Sequence, residues 1–167
     1  MFPTDERNSR PAAAVPAGLA LASIGRRAGG AVIDQLLVFV PVAIGAVIAG
    51  YRPGETVSDD TLLVLNISTA AAALVYETLL IGFFGRTVGK VVTGTRVVRQ
   101  TDGGRVGWFA AVQRAMVPVV FSVVPQVGML LGGIVYAFAL LGPLRQGIHD
   151  RAAGTLVVRN GAMVPLS

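Results

Sequence analysis

The sequence predicts an all-α membrane protein, a small bundle of about four transmembrane or re-entrant helices with short cytoplasmic β-strands. Three observations carry that prediction. The 167 residues are 53% hydrophobic and only 14% charged, against ~25% charged in an ordinary soluble domain, and the mean hydropathy is +0.68. Two apolar runs, about 30–50 and 61–84, are each long enough at about 1.5 Å per residue to cross the ~30 Å core of a bilayer. A third, Ala115–Leu144, contains no charged residue at all.

Taken in order, residues 1–25 mix charge, prolines and small residues, and Pro11 and Pro16 interrupt any helix. They are expected to form a disordered cytoplasmic tail. A cleavable signal peptide is disfavoured, because the Ala-rich stretch is weakly apolar, broken by Pro16 and followed at once by Arg26 and Arg27. A membrane domain is expected over 26–160, and 161–167 form a C-terminal tail. Between the first two helices, "YRPGETVSDD" combines Pro53-Gly54 turn chemistry with Glu55, Asp59 and Asp60. After the second helix the loop 85–107 and its approach to the third carry Arg86, Lys90, Arg96, Arg99, Arg105 and Arg114, opposed only by Asp102. The positive-inside rule places this segment, and both termini, in the cytoplasm of a multi-pass plasma-membrane protein. The loop arginines are expected to meet anionic lipid headgroups.

As one straight helix, Ala115–Leu144 would span ~45 Å, too long for one crossing without large tilt. It would also export Arg145, Arg151 and Arg159. Pro125 in "VVPQVG" instead divides the region into two short helices, about 108–124 and 127–144, which go in and come back. A full hairpin and a shallow re-entrant pair both stay open. Outside the membrane, "GTRVVRQTDG" at 94–103 is echoed by "GTLVVRNG" at 154–161. Each is a β-branched run closed by a polar-Gly turn, so two short strands are expected, paired with each other and with "GRVGW" at 104–108.

The chemistry-bearing residues are few. There is no cysteine and one histidine, which leaves no thiolate metal site, and neither a metal nor a cofactor is expected. "GRTVGK" at 85–90 fails as a phosphate loop: the first Gly stands one residue too close to Gly89-Lys90, and Val91 replaces the required Ser or Thr. No nucleophile and base are paired in the sequence, and no enzyme and no nucleic-acid partner are expected. His149 beside Asp150 reads as a local turn or a headgroup contact. "AGGAV" at 28–32 and the Gly-x-x-x-Gly in "GMLLGG" permit close helix approach, within one chain or in a homo-oligomer.

Acids inside the apolar runs are the sharpest signal. Asp34 lies seven residues after Arg27, on nearly the same face of the first helix. A carboxylate there costs about 2.5 to 3.5 kcal/mol on insertion scales, so it must find a partner. Glu77 in the second, antiparallel helix sits at a similar depth. The expected polar cluster in the inner half of the bundle is Arg27, Asp34, Glu77, Arg114, Asp150 and Arg151. Two readings of it stay open: a proton or cation pathway, and an ion-pair set that only fixes how the helices pack. In the second, Asp34 holds Arg114 or Arg151, and Glu77 is satisfied by Tyr76, Asn66 or a backbone group.

Three segments in this order, "RRAGGAVIDQLL", "GRTVGKVVTGTRVVRQTDG" and "RQGIHDRAAGTLVV", resemble the RDD family of bacterial membrane proteins, over roughly residues 22–160. The resemblance implies that the family's arginine and two aspartates correspond to Arg27, Asp34 and Asp150. It implies transport as an expectation and names no ligand. The function expected from the sequence is therefore transport or ion handling through the inner-half cluster. The alternative is a non-catalytic accessory or assembly protein with a structural cluster.

Overall fold

A computed structural model describes residues 15–52, 54, 56–122 and 127–161. Two long helices dominate it. Helix α1 runs Ile24–Ile48 and α2 runs Asp59–Phe84. Ser23 and Ser58 cap their N-termini by accepting from the amides of Arg26 and Thr61, and Asp59 and Asp60 favour the positive end of the α2 dipole. Gly85, in the left-handed conformation at φ 68°, ends α2. Both helices are long and apolar enough to cross a membrane. Their outward side chains, among them Leu36, Phe39, Ile44, Val64 and Val75, are exposed rather than packed in a core. The helix starts at Ile24, ahead of the apolar run expected at about 30–50, because Ser23 caps it there.

The rest of the chain is built from short pieces. Helix α3, Val88–Val92, leads through Gly94 into strand β1, Thr95–Arg99. Helix α4 covers Trp108–Ser122, α5 covers Gly128–Ala137 and continues as a 3-10 turn, Phe138–Leu140. Helix α6, Ile148–Ala152, leads through Gly154 into β2, Thr155–Arg159. Over their described residues α4 and α5 extend ~22 and ~15 Å at about 1.5 Å per residue. The turn expected at Pro125 lies outside the described residues.

The two strands pair antiparallel, with Val97 opposite Val157 and Val98 opposite Leu156. This is the pairing the sequence echo suggested. The echo is also longer than the strands: each copy is a five-residue helix, a glycine at positive φ (64° at Gly94, 59° at Gly154), a threonine and a strand. Thr95 faces Arg159 while Arg99 faces Thr155, so the pairing is locally two-fold symmetric about Val97 and Val157. One face of the sheet buries Val97 and Val157 against Ala22, Ile81, Val106 and Ala111. The other buries Val98, Leu156 and Val158 against Leu144, with Leu19 and Leu21 packed beside them.

Two expectations are corrected here. Residues 104–108 form no strand; Gly104 accepts one bond from the Arg99 amide, and Val106 turns into the core instead. The free edge of β2 is taken by the segment expected to be disordered: Leu21 bridges Val158, the Ala22 amide donates to the Val157 carbonyl, and the Arg159 amide donates to Ala20. Burying Ala22 and covering a strand edge stabilise an order that polar composition alone disfavours. The part of that tail before residue 15 lies outside the described residues.

Candidate functional site

Helix α1 meets α3 at a crossing only glycine permits. A Cβ on Gly89 would lie 2.1 Å from the Gly30 carbonyl oxygen. The close approach puts the Gly89 amide 2.8 Å from Asp34 Oδ1, to which it donates. Tyr76 of α2 donates its hydroxyl to the same oxygen at 2.7 Å, and in turn accepts from the Val88 amide at 3.1 Å. Thr87 donates to Oδ2. The ammonium of Lys90 stands 3.6 Å from Oδ2 and donates to Thr87 Oγ1 at 3.3 Å. Asp34 is thus met by three neutral donors and one cation, which meets the insertion cost the sequence implied.

A second set of charges lies beside it. Arg114 of α4, 1% exposed, donates from Nε to Glu77 Oε1 at 3.1 Å and from Nη1 to Asp150 Oδ1. Arg27 donates to the other oxygen of Asp150. Asp150 is fully buried and also accepts from the Gly147 amide at 3.2 Å, closing the first turn of α6. Thr155, the first residue of β2, contacts both Arg114 and Asp150 at 3.4 Å. Arg27, Lys90 and Arg114 oppose Asp34, Glu77 and Asp150, so the network balances three cations with three carboxylates.

The sequence placed Arg27, Asp34, Glu77, Arg114 and Asp150 together, and the structure does gather them around one centre. The partners differ from those expected. Asp34 pairs with Lys90, not with Arg27, Arg114 or Arg151, and Tyr76 serves Asp34 rather than Glu77. Arg151 is corrected out of the cluster: its side chain is exposed and lies against Gly142, with no acidic partner among the described residues. Asp150 points inward from α6, so Arg151, the next residue around that short helix, points away. Sequence reasoning missed Lys90, Thr87, Gly89 and Thr155. "GRTVGK" was the available signal, an exposed-looking lysine next to a glycine pattern that excluded phosphate without suggesting a helix partner.

His149 was expected in a local turn or against a headgroup and is instead 1% exposed, its ring 4.5 Å from that of Tyr136. Neither ring nitrogen has a hydrogen-bond partner among the described residues, and Asp150 Oδ2 is 3.6 Å away. Burial, and then the charges of Arg114, Arg27 and Lys90, push its pKa well below the usual histidine value, so the ring is neutral. Burial also lowers Lys90, with Glu77 the largest opposing influence.

Asp34, Gln35, Tyr76, Glu77, Lys90 and Tyr136 line a cleft of about 60 Å³. That is room for a few waters or one small ion. Both membrane-helix carboxylates therefore open onto the same small space. Among the described residues no group of three or more metal-ligating side chains comes together.

Comparison with known proteins adds a family. The sequence model of the RDD family matches residues 21–154. The chain is 33% identical over 98 residues to the uncharacterized membrane protein YteJ of Bacillus subtilis (strain 168), an overlap covering 59% of this chain and 55% of that protein. The chain thus spans about half the length of the curated relative it matches. No solved structure matches. The chain belongs to the RDD family and is a membrane protein.

Proposed function

With that membership as premise, we propose that the protein is a multi-pass, non-catalytic membrane protein that handles protons or small cations at the cleft between α1, α2 and α3. One observation carries the reading: Asp34 of α1 and Glu77 of α2 face a single water-sized space beside Lys90. Intramembrane carboxylates that line a cavity rather than a packed core are the usual mark of an ion path. Lys90 is the least tightly held of the three cations, at 3.6 Å from its carboxylate. An entering cation or a change in protonation displaces it more readily than either arginine.

The double unit of short helix, glycine and strand supports the same reading, because membrane carriers place ion sites where two repeats meet. At corresponding positions of the two copies stand Lys90 and Asp150, and both reach into the network. In this reading α1 and α2 cross the bilayer, α4 and α5 form the shallow pair their lengths allow, and both termini are cytoplasmic. With so few crossings, a complete path requires a second copy.

A structural accessory role is favoured by a different observation, the even balance of cations and carboxylates across α1, α2, α3, α4 and α6. Proteoliposomes separate the two. Under ion handling, the purified protein dissipates a proton or alkali-cation gradient, and Asp34→Asn stays folded and loses the flux. Flux no greater than that of empty liposomes, together with a loss of thermal stability in Asp34→Asn, supports the accessory role.

A further inference from the structure

We infer that the junction of α2 and α4 is a binding site for an anionic phospholipid headgroup, formed by Arg86 and Arg105 with the rings of Phe83, Phe84 and Trp108. Gly82 lets Trp108 lie flat on the end of α2; a Cβ there would fall 2.4 Å from the indole ring. Phe83 meets the indole edge-on, with ring centres 4.8 Å apart at 89°. Despite that packing, Trp108 remains 47% exposed, Phe83 55% and Phe84 67%. Exposed rings gathered at the end of an apolar helix fit the boundary between acyl chains and headgroups.

The charge at the same place gives the class of lipid. Arg105 donates to the Phe83 carbonyl, which fixes its guanidinium at the C-terminal end of α2 and leaves the side chain exposed. Arg86 follows directly after Gly85, also exposed. Neither has a carboxylate partner among the described residues. Asp102, the sole acid between residues 85 and 114, is held 3.0 Å from Arg99 and accepts from the Gly104 amide. Two guanidiniums without a carboxylate favour a headgroup of net negative charge, and they repel the ammonium of a zwitterionic one.

Trp108 is the only tryptophan in the chain, so its fluorescence reports the site without labelling. The protein is reconstituted into phosphatidylcholine vesicles carrying a fixed fraction of brominated phosphatidylglycerol or, separately, brominated phosphatidylcholine. At low salt the anionic quencher is expected to bind beside Trp108 with a preference of about five-fold or more, declining as salt shortens the Debye length. Arg86→Gln with Arg105→Gln brings the preference close to one, while Arg52→Gln, on the connection between α1 and α2, leaves it unchanged. Equal quenching by the two lipids at low salt overturns the inference, as does an undiminished preference in a folded Arg86→Gln/Arg105→Gln protein. If that variant does not fold, the salt titration of the unaltered protein decides: a preference that salt does not weaken overturns it.

Discussion

Asp34, half-buried, and Asp150, fully buried, belong to one network, yet their surroundings make them unequal. Asp150 is fully buried and holds two arginines, whereas Asp34 is met mainly by neutral donors, with Lys90 further off. Removing the charge of Asp150 leaves Arg27 without a carboxylate and Arg114 with Glu77 alone, a change worth about 3 to 5 kcal/mol when a buried pair is broken. Asp150→Asn is therefore expected to lower the unfolding temperature in detergent far more than Asp34→Asn. Equal losses in the two variants contradict this assignment. His149 supplies a pH dependence. Its folded pKa is depressed, so below about pH 6.5 the unfolded chain binds a proton that the folded chain refuses. Stability is then full above that pH and falls as pH drops, by at most about 1.4 kcal/mol per pH unit. The comparison that isolates it is the stability loss between pH 7 and 5, which should be smaller in His149→Phe than in the unaltered protein. That Asp34 needs partners was legible from its place in an apolar run; which partners was not. They come from α3, a five-residue helix with no periodicity to reveal it, and from a tyrosine that adjoins Glu77 in sequence but gives its hydroxyl to Asp34.

At the level of elements, two glycines in the matching units carry different loads. Gly154 sits at φ 59° with open space around its missing side chain, so Gly154→Ala costs only the left-handed strain of about 1 to 2 kcal/mol. Gly89 has no such space, since its Cβ would enter the Gly30 carbonyl and crowd the Asp34 carboxylate at 2.9 Å. Gly89→Ala has to push α3 off α1 and break the amide bond to Asp34, and is expected to destabilise more than Gly154→Ala. Thermal unfolding of the two variants in one detergent checks the order, and a Gly89→Ala protein as stable as the unaltered one refutes the close crossing. The paired strands were legible because Gly-Thr-x-Val-Val-Arg occurs twice and both copies end in a turn. The edge contact of Leu21 was not, because one bridging residue has no alternation to read, and its partner lies far along the chain. "GRVGW" misled for the converse reason: Val106 is apolar to fill the core beside Ile81 and Ala111, not to extend a sheet.

For the molecule as a whole, the proposed topology follows from where charge is and is not tolerated. Segment 85–114 carries six basic residues and one acid, while the α1 to α2 connection together with the first turn of α2 carries three acids and one arginine. Orienting the first inside and the second outside satisfies the positive-inside bias at both ends of α2. Helices α4 and α5 then have to begin and end on the inner side, because α6 and β2 are tied to α1, α4 and β1 through Asp150 and the sheet. In the proposed topology the pair therefore enters and leaves the membrane on the inner side, with described lengths of ~22 and ~15 Å. Cysteine is absent from the chain, which makes single-cysteine variants clean reporters. In intact cells an impermeant maleimide is expected to label Ser58→Cys, at the start of α2, and to leave Thr101→Cys, in the turn after β1, unlabelled until the cells are opened. Labelling of Thr101→Cys in intact cells, with Ser58→Cys protected, reverses the orientation. It would move the whole charge network, and the lipid site beside Trp108, to the outer half of the membrane.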